Sequence, residues 1–253
     1  MQGLTSANAN FEGILVANAS FVNVFSNAVV NNKSLNPSTA TCPGIPDFET
    51  AEGFDCGEGI HLMGVDHSTV ANNIVTNNAG GILLSDETGP TFNNLITGNQ
   101  GGNNPYDCGI TLASHPPATS AGSAVPLGVY HNTVAANKSF SNGLAAGGGM
   151  STPLPGGTVS GNVVINNTLK DNGLPGVALH GHTPGEFLSN NAIVGNWISG
   201  NGADSGDAAT PGPTGINIFS VSLTTGTVIS QNVIYGESND IVVKTPGYTL
   251  RPG

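Results

Sequence analysis

The sequence predicts an all-β chain whose short parallel strands stack into a solenoid, a β-helix of about eight coils that forms a single domain over residues 1–253. A Gly followed by aliphatic residues recurs along the chain, and an Asn followed by an aliphatic residue recurs between these copies. The shortest full repeat, from Gly59 to Gly81, is 22 residues long. That is too short for two packed helices, and Gly, Asn, Thr and Val are poor helix formers. Each repeat is therefore expected to form one coil, stacked about 4.8 Å from the next.

The first recurring position is a Gly that opens a strand. It is occupied by Gly13, Gly59, Gly81, Gly109, Gly143, Gly176 and Gly215. The residues that follow directly are Ile14, Ile60, Ile82, Ile110, Leu144, Val177 and Ile216. A second small or aliphatic residue comes two positions later, and a strand period of two places both on one face. This face is predicted to form the core.

The second recurring position is an Asn that opens another strand. It is occupied by Asn23, Asn73, Asn94, Asn132, Asn162, Asn191 and Asn232. A further column five residues later contains Asn78, Asn99, Asn137, Asn167 and Asn196. Asn tolerates left-handed turns, and stacked amides can hydrogen-bond from coil to coil. The sequence therefore predicts Asn ladders along the solenoid.

Charge excludes two classes of partner. The formal net charge is −11, and the chain has only five Lys and Arg residues. Nucleic acids and anionic membranes both require clustered cations, so neither is an expected partner. No apolar run of 18 residues is present, so no transmembrane helix and no membrane insertion are expected.

The three cysteines leave two readings open. Cys42 and Cys56 bracket one loop and could form a disulfide, which would suit an oxidising compartment. The alternative is three unpaired thiols. Cys108 remains unpaired in either case.

The repeat pattern resembles the right-handed parallel β-helix repeat family, from about Gly13 to Val243. This family includes pectate lyases, polygalacturonases, alginate epimerases and NosD-like periplasmic proteins. The resemblance implies a right-handed β-helix in a secreted or periplasmic protein, and, if the protein is an enzyme, a glycan hydrolase or lyase. It does not specify the activity, because the family has many functions. The Asp-Asp and Arg-Ile-Lys motifs of polygalacturonases are absent here, and His180-Gly181-His182 inverts their Gly-His-Gly.

Loop insertions indicate where a site lies. The longer repeats gain residues in segments that all flank the Gly-opened strands. These segments are 33–58, 113–128, 147–158, 202–214 and 219–227. Loops on a rigid scaffold commonly carry binding sites. A groove along these strands is therefore predicted to bind a polysaccharide, and the scarcity of cations favours a neutral one.

Candidate residues follow from the outward positions of the same strands. The predicted substrate-binding residues are His61, Met63, Thr111, His180, Asn217 and Phe219. Glu87 and His115 both lie six residues after a Gly on adjacent repeats, so they would be neighbours in register. With Asp86, they are the candidate catalytic residues, since a His–carboxylate pair can act as general acid or base. The alternative is a set of solvent-exposed turn residues.

Two kinds of metal site are also candidates. His180 and His182 lie on one side of a strand and could bind copper, zinc or nickel. The stretches Asp86–Thr88 and Asp204–Asp207 could bind calcium through their oxygens. In each case the alternative is a polar edge or a solvated turn.

Three functions remain open from the sequence. The first is an extracellular or periplasmic β-helix that binds, and in one version cleaves, a polysaccharide. The second is a structural or adhesive solenoid, either alone or as a fragment of a larger surface protein. The third is a NosD-like periplasmic protein that handles a metal.

Overall fold

A computed structural model describes residues 1–32, 57–114, 127–144, 157–181, 184–204 and 210–247. In these ranges every regular element is a β-strand. The strands are β1 (Thr5–Ala7), β2 (Ile14–Ser20), β3 (Asn23–Phe25), β4 (Ala28–Val30), β5 (Glu58–Asp66), β6 (Thr69–Ala71), β7 (Ile74–Thr76), β8 (Gly80–Ser85), β9 (Thr91–Phe92), β10 (Leu95–Thr97), β11 (Gln100–Gly102), β12 (Ile110–Ala113), β13 (Val129–Tyr130), β14 (Thr133–Ala135), β15 (Lys138–Phe140), β16 (Val159–Ser160), β17 (Val163–Ile165), β18 (Thr168–Lys170), β19 (Val177–Gly181), β20 (Ala192–Val194), β21 (Trp197–Ser199), β22 (Thr214–Ser220), β23 (Val228–Ser230), β24 (Val233–Tyr235) and β25 (Asn239–Lys244). The described ranges hold no helix with the length and apolarity needed to cross a membrane.

The strands stack into four parallel sheets. Sheet 1 has the order β1-β4-β7-β11-β15-β18-β21-β24, and sheet 2 has the order β3-β6-β10-β14-β17-β20-β23. Sheet 3 contains β2, β5, β8, β9, β12, β13 and β16, and sheet 4 contains β19, β22 and β25. The chain passes from β5 in sheet 3 to β6 in sheet 2, β7 in sheet 1 and back to sheet 3 with β8. This winding of parallel strands confirms the predicted all-β chain of stacked coils.

The aliphatic residues one and three positions after Gly13, Gly59, Gly81 and Gly215 face the core as predicted, whereas Ile241, also predicted to face inward, is exposed at the last coil. Ile60 lies in register with Ile14 and Ile82, and all three are buried. Two core clusters follow one another along the solenoid, and Val164 packs against both. Each fully buried aliphatic side chain contributes about 1.5–3 kcal/mol, so the column of core residues is a main source of stability.

The prediction of a strand after Gly143 is wrong. Leu144 lies in a turn, and its side chain is 64% exposed. Gly143 has a φ of +66°, and its N–H donates to the carbonyl of Asn104. This glycine therefore continues the corner formed by Asn142 instead of opening a strand.

The Asn ladders exist, but the predicted register is wrong. Asn73 hydrogen-bonds to Asn99 and not to Asn94, and Asn27 takes the place predicted for the exposed Asn23. Three columns run along the solenoid: Asn27, Asn73, Asn99, Asn137, Asn167, Asn196 and Asn232; Ser68, Asn94, Asn132, Asn162 and Asn191; and Asn32, Asn78, Asn104, Asn142, Asn172, Asn201 and Glu237. Because Asn recurs every five residues at successive corners, the local pattern is unchanged by a shift of one corner.

Each ladder amide has its hydrogen-bonding needs met inside the fold. The backbone N–H and the Nδ2 group of Asn99 both donate to Oδ1 of Asn137, and Nδ2 also donates to the carbonyl of Val70. The residue before each corner adopts a positive φ, for example 65° at Gly98 and 55° at Ala136. A buried amide left without partners would cost about 1–3 kcal/mol, so these contacts fix the corners.

Close packing explains the glycine that opens a strand. A Cβ atom on Gly59 would lie 2.2 Å from Cγ1 of Val75. A Cβ atom on Gly81 would lie 2.1 Å from the carbonyl oxygen of Gly109 in the next coil. Any side chain at these points would push the coils apart.

Candidate functional site

A chain of buried polar side chains crosses the outer face of sheet 3. Ile60 and Leu62 point to the core, so His61 and Met63 point to the opposite face of β5. His61 lies beside Leu83 in register, and Ser85 lies beside Met63. The side chains of His61 and Ser85 are nevertheless fully buried, so this face is closed to solvent at this point.

Four residues form this chain, here called the Ser85 network: Glu12, His61, Ser85 and Glu87. Oε1 of Glu12 lies 3.0 Å from Nδ1 of His61, and Nε2 of His61 lies 2.6 Å from Oγ of Ser85. Oγ of Ser85 also hydrogen-bonds to Oε2 of Glu87. Glu12 precedes β2, His61 is on β5 and Ser85 ends β8, so the parallel pairing of these three strands sets the geometry.

The network has two proton arrangements with the same number of protons. In one, a protonated His61 donates to Glu12 and Ser85, and Ser85 donates to an ionised Glu87. In the other, a neutral His61 donates only to Glu12, Ser85 donates to Nε2 of His61, and a protonated Glu87 donates to Ser85. Burial raises the pKa of Glu87, although the Ser85 hydrogen bond and His61 act in the opposite direction. The hydrogen bond from Ser85 to Glu87 is that of the first arrangement, whereas the raised pKa of Glu87 favours the second.

A second carboxyl group lies against the network. Glu58 is fully buried, and neither of its oxygens accepts a hydrogen bond from a described residue. Burial raises its pKa well above the usual value, and the charges of Glu12 and Asp107 raise it further. A Cβ atom on Gly80 would lie 2.9 Å from Oε1 of Glu58 and 3.2 Å from Oδ2 of Asp107, so both carboxyls approach this glycine. The raised pKa favours the protonated form of Glu58, which is able to donate to Glu12.

The other candidates on sheet 3 have separate surroundings. Asp86 is buried and accepts a hydrogen bond of 2.8 Å from Oγ of Ser114. Thr111 is half-buried and donates to Oδ2 of Asp107 at 3.3 Å, and Met63 is buried. His115 lies outside the described residues, so its pairing with Glu87 stays a prediction.

Sheet 4 brings three of the remaining candidates together. Nε2 of His180 lies 3.1 Å from Nδ2 of Asn217 and 3.5 Å from Oδ2 of Asp204. Phe219 pairs in register with His180 and is partly exposed. The His180 side chain is 18% exposed, so this His–carboxylate pair is more open to solvent than the Ser85 network.

The metal and disulfide hypotheses stay predictions. Within the described ranges, no group of three or more His, Cys, Asp or Glu side chains is arranged to hold a metal ion. His182, the stretch 205–207, Cys42 and Cys56 lie outside those ranges. Cys108 is a free thiol. Burial raises the pKa of this thiol, and the negative charge of Asp107 raises it further. Cys108 is therefore a poor nucleophile.

An exposed row of rings lies where the strands of sheet 3 end. This aromatic strip consists of Phe21, His67, Phe92, Tyr130 and His131. Successive ring centroids lie 5.3, 5.6, 5.2 and 5.5 Å apart, and the pairs Phe21–His67 and Phe92–Tyr130 are stacked. Phe21 is 75% exposed, and the His67 side chain is 44% exposed. With carbon contacts near 3.5 Å, the two stacked pairs are offset by about 4 Å, so their rings cover little of each other's faces. The pairs His67–Phe92 and Tyr130–His131 meet edge to face, with interplanar angles of 78° and 85°.

Hydrogen-bonding groups border the strip. Nδ1 of His67 lies 2.7 Å from Oδ1 of Asp66, and Ser20 donates to Oδ2 of Asp66 at 2.7 Å. Asn93 Nδ2 lies 3.2 Å from Nε2 of His67. Slight burial raises the pKa of Asp66, but the hydrogen bonds from Ser20 and His67 outweigh this effect and lower it. An ionised carboxylate therefore lies beside the rings.

Comparisons with known proteins give no assignment. No model of a known protein family matches the chain, and no curated protein gives a significant match. The chain is therefore defined by its architecture, a parallel all-β solenoid, and its function has to follow from its own side chains.

Sequence reasoning missed the aromatic strip and the role of Ser85. One local signal could have revealed the strip. On four successive repeats, an aromatic or His residue stands one or two positions before the first corner, as at Phe21, His67, Phe92 and Tyr130. No comparable signal exists for the Ser85 network, because Glu12 and His61 are 49 residues apart.

Proposed function

We propose that the protein is a right-handed parallel β-helix of about eight coils that binds a neutral polysaccharide outside the cell or in the periplasm. The handedness and the location rest on the resemblance of its repeats to the right-handed β-helix family. The binding surface is the aromatic strip together with Asp66 and Asn93.

The aromatic strip is the observation that carries this proposal. Its rings come from four adjacent strands and so extend over about 14 Å along the solenoid axis. A sugar ring presents an apolar C–H face that can pack on an aromatic face, and its hydroxyl groups need polar partners at the edge. The offset rings supply the first kind of contact, while Asp66 and Asn93 supply the second.

Charge favours a neutral glycan. The net charge is −11, and the group beside the strip with a lowered pKa is the carboxylate of Asp66. A polyuronate would be repelled by the chain as a whole and by this carboxylate.

A binding screen tests the proposal. Isothermal titration or affinity electrophoresis would compare neutral glucans, mannans, xylans and galactans with polyuronates. We expect binding of at least one neutral polysaccharide and a roughly tenfold loss of affinity, about 1.4 kcal/mol, in Phe21→Ala and Tyr130→Ala.

The matched control is Trp197→Ala, which removes an exposed ring from sheet 1, far along the chain from the strip. It should leave affinity unchanged. Absence of binding to every polysaccharide, or an equal loss in Trp197→Ala, would contradict the proposal and favour a structural or adhesive solenoid.

A further inference from the structure

We propose that Ser85, His61 and Glu12 form a nucleophile–base–carboxylate triad that hydrolyses esters, with small O-acyl groups on the bound glycan as the substrate class. The ester hydrolysis itself stands on the Ser85 network. The choice of a glycan ester rests on the proposed function.

The distances suit these roles. A nucleophile and its base need a separation of about 2.6–3.2 Å, and the base needs a second group that holds its other nitrogen. Oγ of Ser85 lies 2.6 Å from Nε2 of His61, and Nδ1 of His61 lies 3.0 Å from Glu12. Such triads are recognised by geometry and roles rather than by chain order.

The fold does not require polar residues at these positions. His61 lies in register between Leu15 and Leu83, and Ser85 lies beside Met63. Apolar side chains therefore suit the same face of neighbouring strands. Buried, coupled ionisable groups are instead a frequent property of functional sites.

Glu87 prepares the serine in this arrangement. In the structure Oγ of Ser85 donates to Oε2 of Glu87. Once Glu87 is protonated, the hydroxyl proton of Ser85 is released to point at Nε2 of a neutral His61, 2.6 Å away. Because Ser85 and His61 are fully buried, substrate entry requires the side chains over this face, Glu87 among them, to move aside.

The reaction balances with water as the only co-reactant. Oγ of Ser85 bonds to the ester carbon, the carbonyl electron pair moves to oxygen, and the Ser85 proton passes to Nε2 of His61. When the carbonyl re-forms, the C–O bond to the sugar breaks, and the sugar oxygen takes the proton from His61. Water then attacks the acyl group on Ser85, and His61 moves a proton from water to Oγ as the carboxylic acid leaves. Glu12 stays ionised and stabilises the His61 imidazolium.

The experiment uses a fluorophosphonate probe and p-nitrophenyl acetate on the full chain. We expect covalent labelling of Ser85, located by peptide mass spectrometry, and ester turnover above the buffer rate. Ser85→Ala and Ser85→Cys should abolish labelling, and His61→Gln should slow it at least about 100-fold. The second serine variant keeps a hydrogen-bonding side chain in case Ser85→Ala does not fold.

Two control variants separate the triad from general effects. Ser114→Ala removes another serine of the same face, bonded to Asp86, and should leave labelling unchanged. Trp197→Ala, which removes an exposed ring of sheet 1, should also leave labelling unchanged. An unlabelled parent chain, labelling at another residue, or loss of labelling in both control variants would overturn the proposal.

The two proposals fail separately. Polysaccharide binding without labelling of Ser85 would remove the triad and leave the glycan site in place. Labelling of Ser85 without polysaccharide binding would retain the esterase and remove the glycan as its substrate.

Discussion

His61 and His67 lie six residues apart, on and just after β5, and have opposite surroundings. His61 is fully buried, and both of its ring nitrogens contact side chains from neighbouring coils. His67 is 44% exposed and stacks on Phe21 at the edge of the same sheet. β5 therefore carries His61, which is suited to chemistry inside the fold. It is followed directly by His67, which is suited to recognition at the surface. The difference comes from the corner at His67, where a φ of 47° turns the side chain out of the sheet.

The largest expected effect contrasts the two histidines directly. His61→Ala removes a fully buried side chain that contacts both Glu12 and Ser85, and should lower the free energy of unfolding by about 3–5 kcal/mol. His67→Ala removes an exposed pair with Asp66 and should cost at most about 1 kcal/mol. Urea unfolding followed by circular dichroism measures both. The loss of unfolding free energy in His61→Gln, which keeps a hydrogen-bonding side chain, should lie between those of the two alanine variants. Equal losses in His61→Ala and His67→Ala would contradict this prediction.

A smaller expected effect is the pH dependence of stability that the buried Glu58 beside His61 produces. The pKa of Glu58 is raised in the folded chain above its ordinary 4.5, so the folded state keeps a proton that the unfolded state loses. This contribution to stability is complete below about pH 4.5 and is lost as the pH rises through the raised pKa. We expect the thermal midpoint to fall as the pH rises from about 4.5 through the raised pKa of Glu58.

Glu58→Gln provides the control for this pH dependence, because its side chain has no proton to lose. The slope of midpoint against pH should be shallower in this variant than in the parent chain. Parallel slopes would mean that Glu58 is ionised in the folded state.

The smallest expected effect concerns Asp66, the partner of the exposed His67. The pKa of Asp66 is lowered in the folded chain, so its contribution is present above its ordinary 3.8 and is lost as the pH falls through the lowered pKa. Solvent screens this exposed pair, and Asp66→Asn should change the free energy of unfolding by less than about 1 kcal/mol. The same variant should weaken binding of a neutral polysaccharide if Asp66 contacts its hydroxyl groups. A large loss of stability without any change in binding would place Asp66 in the structural framework.

Local pattern was sufficient to predict the coils. Period-two alternation identified Ile60 and Leu62 as core residues, and both are fully buried. It also identified Asn as the corner residue, because Asn suits left-handed turns wherever they occur. It could not decide which corner stacks on which, since a shift of one corner replaces Asn94 by Asn99 without changing the neighbouring pattern.

The candidate site depended on contacts that no local pattern contains. The sequence predicts Glu87 as an acid near the groove with His115, which lies outside the described residues, as its partner. In the structure its partner is Ser85, two residues away, and the histidine behind Ser85 is His61, a further 24 residues back. Glu12 completes the network from 49 residues before His61. These separations depend on how many residues each coil inserts, and composition does not encode that register.

The Asn ladders give the solenoid an electrical direction. In each column the backbone N–H and one N–H of the side-chain amide donate toward the later coil, as from Asn142 to Asn172 and from Asn172 to Asn201. The other side-chain N–H donates to a carbonyl of the earlier coil. Aligned hydrogen-bond dipoles of this kind polarise one another. The donor end of one column meets an anion, because the backbone N–H and Nδ2 of Asn201 both donate to Oε1 of Glu237. The column thus ends as an α-helix begins, with a negative charge against the positive end of a dipole.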